Sequence, residues 1–143
     1  MKNSSFQFKA PVLSHLEFML NSEFNREEKS HFKNEFQIGY KKNDDGYEAI
    51  VELSITIGAT PESQNQPYTV KLVIGSVFRW NDDYPTKMVE NLLTINAPAL
   101  LVSYARPIVA SITNSSGCSS YNIPFIDFTD KTESVEPRIE EKE

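Results

Sequence analysis

Hydrophobic and polar residues alternate along four stretches of the chain, and this period of two predicts β-strands with one buried face each. The first stretch covers residues 4–10 and ends at Pro11, which cannot donate to a sheet. A shorter alternation over Leu16, Phe18 and Leu20 favours a continuation after a break. The other three strands are predicted at residues 32–41, 47–58 and 68–80.

The strands predicted at residues 32–41 and 47–58 are expected to form an antiparallel hairpin. Only the short sequence Asn-Asp-Asp-Gly at residues 43–46 separates them, and its glycine can take the positive φ that tight turns require. In the fourth strand, Gly75 predicts a bulge or a close approach of another backbone. The apolar residues after it are almost consecutive, which indicates either a strand end covered on both faces or aromatics held near a groove.

The longest apolar run, residues 96–113, predicts a helix. Apolar residues at helical spacing define one face: Leu101, Tyr104, Ile108 and Ile112. Other apolar residues fill most of the remaining directions, and a helix of this kind must be buried on more than one side. One small sheet covers only one side, so we expect a second copy of the chain to cover the other, with these four residues at the interface.

The same run carries signals for its own boundary. Asn96 is suited to the N-cap and Pro98 to the first helical turn, so the helix is predicted to begin there, after a short helix at residues 86–95. Pro107 falls inside the run, where it removes a hydrogen bond and kinks the axis. Arg106 is read as a structural arginine, with an anion-binding role as the alternative.

Four motifs in this sequence resemble the signature of the SecB family of protein-export chaperones. They occur in family order: Phe8-Lys9-Ala10-Pro11, Gly75-Ser76-Val77-Phe78, the helix stretch from Leu100 to Arg106, and, after Gly117, the stretch Asn122-Ile123-Pro124-Phe125-Ile126-Asp127-Phe128. The resemblance implies an α+β fold in which a four-stranded antiparallel sheet carries a long C-terminal helix on one face. It further implies a homotetramer, built as a dimer of dimers, that binds unfolded polypeptides without ATP or any cofactor.

Within that resemblance, four aromatic residues are predicted to line a polypeptide-binding groove: Phe78, Trp80, Tyr84 and Phe125. Trp80 and Tyr84 flank a polar crossover, which favours a groove position, whereas core packing is the alternative for Phe78 and Phe125. Export members of the family dock the SecA motor through carboxylates, and the corresponding positions here are Ser5, Lys9 and Lys71. Lysine replaces attraction to a basic partner with repulsion, which argues against docking of SecA in the usual way.

Composition and net charge bear on the number of domains, the partners, metal binding and the location of the protein. The 143 residues suit one domain, predicted at residues 1–128, followed by a disordered acidic tail at residues 129–143. A net charge of −6 argues against nucleic acid as a partner. Cys118 is the single cysteine, and with two histidines the sequence offers no cluster for a metal, so no metal site is expected. No apolar run reaches membrane-spanning length, which predicts a cytoplasmic protein with no membrane insertion.

Alternatives to a general export chaperone remain open. No catalytic motif is present, so we do not expect an enzyme. Some members of the resembled family serve toxin–antitoxin systems by holding an aggregation-prone antitoxin, and the departures noted above fit that role equally well. A sheet-and-helix domain with a small-ligand pocket lined by Trp80 and Tyr104 is a rival from another class. A third possibility is an assembly element of a larger complex.

Overall fold

A computed structural model describes residues 1–44 and 46–130 of the chain. The acidic tail predicted at residues 129–143 therefore lies, from residue 131 onward, outside the described residues. One antiparallel sheet is formed by five strands: β1 (Gln7–Phe8), β2 (Val12–Leu20), β3 (Asn34–Lys42), β4 (Glu48–Ile57) and β5 (Tyr68–Arg79). Strands β1 and β2 both pair with β5, and the order continues through β4 to β3, so the sheet is four strands wide, as predicted.

The N-terminal edge strand corrects one sequence prediction. Residues 4–10 were expected to hold the first strand, but the strand there is only the two residues Gln7–Phe8, and the main edge strand is the nine-residue β2. Pro11 interrupts the ladder without ending it, because the chain resumes pairing with β5 at Val12. Apolar side chains on both faces of β2 hide the alternation by which strands are recognised.

The hairpin predicted around residues 43–46 is confirmed. Strands β3 and β4 pair in register from Asn34 opposite Ile57 to Lys42 opposite Ala49. The inner rows of the two central strands form the core, which consists of Ala49, Val51, Leu53, Ile55 and Ile57 from β4 and Tyr68, Val70, Leu72, Ile74 and Phe78 from β5.

The helical region is longer than predicted. Helix α1 (Thr86–Asn91) continues through one π-helical turn (Leu92–Asn96) into helix α2 (Ala97–Ser115). Asn96 is therefore not an N-cap, because its backbone is helical, with φ −74° and ψ −42°. The π-turn lies immediately before Pro98, whose ring lacks the N–H that a regular helix needs at that position.

This continuous helix, Thr86–Ser115, is 30 residues long and apolar enough to cross a membrane by length and composition, which the sequence analysis did not expect. In the structure, 44% of its most apolar window is buried inside the domain. Leu101, Ala105 and Val109 are 0% exposed and pack on β4 and β5. The apolar residues of α2 thus belong to the core of a sheet-and-helix domain.

The inner face of the sheet is covered unevenly. Helix α2 lies over β4 and β5, and the extended segment after it, residues 121–128, lies over β3. Tyr121 contacts Phe32 with ring centroids 5.8 Å apart, and Phe128 contacts Phe36 at 6.3 Å. The segment packs on the core without joining the sheet, as the sequence predicted. In contrast, much of the inner face of β2 stays exposed.

Candidate functional site

Strand β2 exposes large apolar side chains on both of its faces. Leu13, Leu16 and Leu20 share the inner face with Ile74, Leu72 and Tyr68, their partners on β5, yet they are 38%, 38% and 60% exposed. We call these three leucines the β2 inner row. On the outer face Val12 and Met19 are 65% and 61% exposed. Contiguous apolar exposure of this kind is a mark of interaction surfaces.

The backbone of β2 adds hydrogen-bonding capacity to this apolar surface. Among the described residues, β2 pairs with β5 alone, so the other side of its nine-residue backbone is an open sheet edge. Proteins normally protect such edges with charged side chains or very short strands. Only His15 and Glu17 are titratable in β2, and they pair with each other at 3.8 Å.

At one end of β2, aromatic rings gather where β5 leads to the helices. Phe6 stacks on Phe78 and on Trp80 with ring centroids 5.4 and 6.3 Å away. Phe8 contacts Phe78 at 6.2 Å and the edge of Tyr104 at 6.0 Å. We call these five residues the crossover cluster. It joins the N-terminal segment, the end of β5 and helix α2.

Tyr84 is attached to this cluster through the N-terminal segment. The Ser5 hydroxyl donates a hydrogen bond to the Tyr84 hydroxyl. This bond is the main cause that lowers the pKa of Tyr84, because an added donor favours the phenolate. Trp80 and Tyr84, the two better groove candidates from the sequence, are both half-buried at this end of the molecule.

The other two predicted groove residues lie elsewhere. Phe78 is 1% exposed, so its side chain is core and does not reach a binding partner in this structure. Phe125 is 98% exposed, but it lies against Arg106, on the segment that covers β3, and not in the crossover cluster. The structure therefore brings Phe78, Trp80 and Tyr84 to one end of the sheet, with only the last two accessible, and leaves Phe125 apart.

The predicted interface residues of α2 also separate by burial. Leu101 is 0% exposed within this chain's own core, which removes it from any surface for a second copy. Tyr104 is 43% exposed, and Ile108 and Ile112 are half-buried. The exposed residues of α2 are all uncharged: Ala99, Ser103, Tyr104, Pro107, Ser111, Asn114 and Ser115. An exposed helix face without a charge is unusual for a monomer.

At the far end of β2 lies a groove that the sequence analysis missed. Its volume is about 920 Å³, and its walls come from the β2–β3 loop, the start of β5 and the residues after α2. We call it the loop-end groove. Its lining includes Leu20, Phe24, Arg26, Phe32, Tyr68 and Cys118. Residues 21–30 were predicted only as a polar loop, and the signal was a pair of phenylalanines, Phe24 within that loop and Phe32 just after it.

The loop-end groove has an aromatic floor. The Tyr68 ring lies 5.1 Å from Phe32 and 5.5 Å from Phe18, centroid to centroid. Burial, with smaller contributions from Cys118 and Tyr121, raises the pKa of Tyr68 to about 12. The hydroxyl of Tyr68 therefore stays neutral over the whole physiological range. Cys118, half-buried, is the single cysteine of the chain.

The outer face of the sheet carries a further cavity of about 410 Å³, which includes Lys9, Lys41 and Ile50 in its lining. Lys71, also exposed, lies on the same face opposite Glu17. Two of the positions that argue against SecA docking are thus solvent-exposed lysines. No group of three or more potential metal-ligating side chains occurs in residues 1–44 and 46–130.

Comparisons with known proteins agree with this architecture. A search of curated proteins finds no match. Among solved structures, the SecB-like chaperone Rv1957 of Mycobacterium tuberculosis, in complex with a ChAD peptide from the Rv1956 HigA1 antitoxin, is similar with a TM-score of 0.69. It is 14% identical, with 86% of this chain and 91% of that chain covered. A protein of unknown function from Streptococcus agalactiae reaches only 0.44 at 13% identity, over 87% of this chain and 100% of that one.

The fold is thus that of a SecB-like α+β domain, in which an antiparallel sheet carries one long C-terminal helix. The family described as preprotein translocase subunit SecB matches residues 13–131, which is most of the chain. The chain belongs to the SecB family.

Proposed function

We propose that this protein is an ATP-independent chaperone that binds unfolded, non-native polypeptides. The observation that carries the proposal is strand β2, which offers exposed apolar side chains and an open backbone edge at the same place. A binder that accepts many sequences needs both features, because main-chain hydrogen bonds supply affinity and apolar contacts require only similar side-chain chemistry. Such binding uses no nucleotide, metal or other cofactor, and we place it in the cytoplasm.

The binding surface in this proposal runs along β2. The inner row supplies apolar contacts in its middle, and Trp80 and Tyr84 supply half-buried aromatics at the crossover end. Phe78 lies in the core and is linked to Trp80 through Phe6, which stacks on both rings. Phe125 contributes only its own exposed ring, which lies against Arg106 of α2. A client would lie extended along this surface with alternate side chains facing the leucines.

We further propose that the chain forms a homo-oligomer, with a tetramer as the expected state. The charge-free outer side of α2 supports it, because such a surface is stabilised when a second copy covers it. Of the predicted interface, Tyr104, which is 43% exposed, and the half-buried Ile108 and Ile112 remain available to contribute. A second copy could also pair with the open edge of β2. The mass of the protein in solution is therefore measured together with its effect on aggregation.

The proposal is tested by diluting a urea-denatured, aggregation-prone protein into buffer and following light scattering. We expect near-stoichiometric suppression by the wild-type chain. Leu16→Gln should weaken suppression about fivefold because it removes an apolar contact from the middle of the surface. The neighbouring variant His15→Gln, on the other face of β2, is the matched control. A folded, monomeric protein that leaves aggregation unchanged contradicts the proposal.

A second candidate is a dedicated chaperone of an antitoxin. The SecB-like chaperone of M. tuberculosis, which shares this fold, was solved with an antitoxin peptide, and Lys9 and Lys71 here argue against docking of SecA. The two candidates differ in their clients: a dedicated chaperone suppresses aggregation of one partner and leaves unrelated denatured proteins unprotected. A small-ligand domain is less well supported, since neither the outer-face cavity nor the loop-end groove has Trp80 or Tyr104 in its lining.

A further inference from the structure

We propose that the loop-end groove is a second contact site for the same client chain, and that it takes a large apolar side chain flanked by a carboxylate. This inference rests on the proposed function. The groove lies at the opposite end of β2 from the crossover cluster. Its floor is the half-buried ring of Phe32, backed by Tyr68, which is only 3% exposed, and this floor matches an apolar or aromatic side chain. Leu20, 60% exposed, belongs both to the groove wall and to the β2 inner row.

Hydrogen bonds fix the β2–β3 loop, which forms one wall of the groove, to the loop between β4 and β5. The side-chain amide of Asn65, at a φ of 46°, donates to the carbonyls of Asn25 and Glu28 at 2.8 and 3.1 Å, and its oxygen accepts from the Asn25 N–H at 2.9 Å. Asn21 donates through its side chain to the carbonyl of Gln66 at 2.7 Å. A site fixed before its ligand arrives loses less entropy on binding.

The charge of the ligand follows from Arg26 in the groove lining. Within the part of the chain that the structure describes, its guanidinium has no ion pair or hydrogen bond to a protein group. Arginine is suited to a carboxylate because its planar fork donates two parallel hydrogen bonds. A client residue such as Asp or Glu beside the apolar anchor would complete this pairing.

Geometry sets the length of client that reaches both sites. Tyr68 in the groove and Trp80 in the crossover cluster are on one chain, twelve positions apart along β5 and its end. At roughly 3.3 Å per residue the two sites are about 40 Å apart, so an extended client of about 12 residues or more spans them. The β2 inner row lies between the two sites and makes the apolar surface continuous.

The chain provides a natural reporter at each end, since Trp80 is its only tryptophan and Cys118 its only cysteine. The probe is a synthetic peptide of about 14 alternating Leu and Thr residues with a Phe-Asp pair near each end, so that either orientation can bind; a half-length peptide serves for comparison. We expect the long peptide to shift Trp80 fluorescence and to slow alkylation of Cys118 at least fivefold. The short peptide should not produce both effects in one complex.

A charge swap tests the assigned ligand chemistry. Arg26→Glu should weaken binding of the Phe-Asp peptide about tenfold, and a Phe-Lys peptide should regain the loss. Arg79→Glu makes the same change on the outer face of the sheet, away from the groove, and should leave both peptides unaffected. Phe24→Ala, in the loop wall, should reduce Cys118 protection while the Trp80 response persists.

The outcomes separate this inference from the function on which it rests. A Trp80 response with unchanged Cys118 alkylation, or an Arg26→Glu variant of unchanged affinity, overturns the second site and leaves the chaperone proposal standing. Protection of Cys118 that rises with protein concentration and needs no peptide assigns the groove to a second copy of the chain, which also overturns the inference. No response at either reporter, together with no suppression of aggregation, contradicts both.

Discussion

The guanidinium of Arg106 lies over the ring of Phe125, with Cζ 5.5 Å from the ring centroid. The same side chain donates from Nε to the carbonyl of Ile123 at 3.0 Å and from Nη2 to that of Pro124 at 2.9 Å. Arg106 is the only charged residue within α2, and it is used to hold the extended segment beside the helix. The segment in turn covers the inner face of β3, so one arginine links the helix to the C-terminal part of the core.

Arg106→Ala should therefore loosen the C-terminal segment. Two hydrogen bonds from a charged donor are lost and two carbonyls lose their partner, which should lower the free energy of unfolding by about 2 kcal/mol. Urea unfolding measures the loss, and amide hydrogen exchange should increase over residues 121–128. Phe125→Ala is the matched control: its ring is 98% exposed, so we expect a loss of about 0.5 kcal/mol. Equal effects of the two variants would contradict an anchoring role for the hydrogen bonds.

Gly58 and Gly117 offer a matched pair of substitutions. Both have positive φ, +80° and +83°, but a Cβ on Gly58 would lie 2.7 Å from the carbonyl oxygen of Tyr68, whereas a Cβ on Gly117 meets nothing within 4 Å. Gly117→Ala should cost about 1 kcal/mol, the usual penalty for a side chain in the left-handed region. Gly58→Ala adds a collision with the backbone and should cost about 3 kcal/mol in total. Thermal unfolding of both variants measures the difference, and similar melting temperatures would contradict the close approach.

The buried phenol of Tyr68 predicts a loss of stability at high pH. Its pKa is raised from 10.0 to about 12 in the folded chain, chiefly by burial, so the unfolded state releases its proton first. The contribution of Tyr68 to stability is complete below pH 10 and is lost as the pH rises from 10 to 12. Comparing Tm against pH for wild type and Tyr68→Phe isolates this group, since lysines titrate in both proteins. Parallel curves above pH 10 would show that the phenol has no part in alkaline unfolding.

Leu101 and Tyr104 should behave differently although they lie on the same helix. Leu101→Ala removes a core side chain that is 0% exposed and should cost about 3 kcal/mol of unfolding free energy. Tyr104→Ala removes a ring that is 43% exposed and contacts Phe8, so its main effect should be weaker self-association. Circular dichroism melts and light scattering separate the two effects. An oligomer unaffected by Tyr104→Ala would exclude this face of α2 from the interface.

Much of the central sheet could be predicted because its signal is local. The residues from Tyr68 to Ile74 alternate strictly between the core and the outer face, and β3 and β4, separated by only a short polar sequence, pair side by side. When one face of a strand is buried, apolar residues recur at every second position, and this period of two is visible in the sequence. Strand β2 lacks that period, since Leu13, Leu16 and Met19 are exposed on opposite faces, and the sequence yielded only fragments of it.

The candidate site could be predicted only in part. The sequence identified Trp80, Tyr84 and Tyr104 as residues of interest, but apolar character alone could not separate them from Phe78 and Leu101, which are buried in the core. Burial depends on what lies opposite each side chain, and that is decided by how α2 and the N-terminal segment pack on the sheet. The sequence also placed a helix start at Asn96, whereas the π-turn before Pro98 carries the helix through it.

By itself, the amino-acid sequence determined the sheet, the long apolar helix, the expectation of a binding protein and the resemblance to its family, because strand period, helix period and motif order are properties of neighbouring residues. Only the tertiary structure decided which apolar residues stay exposed. The loop-end groove is the clearest case: Leu20, Tyr68 and Cys118 are distant in the chain and meet only because β2 pairs with β5 and α2 ends above them. A surface formed by chain segments that are distant in sequence leaves no period for sequence analysis to detect.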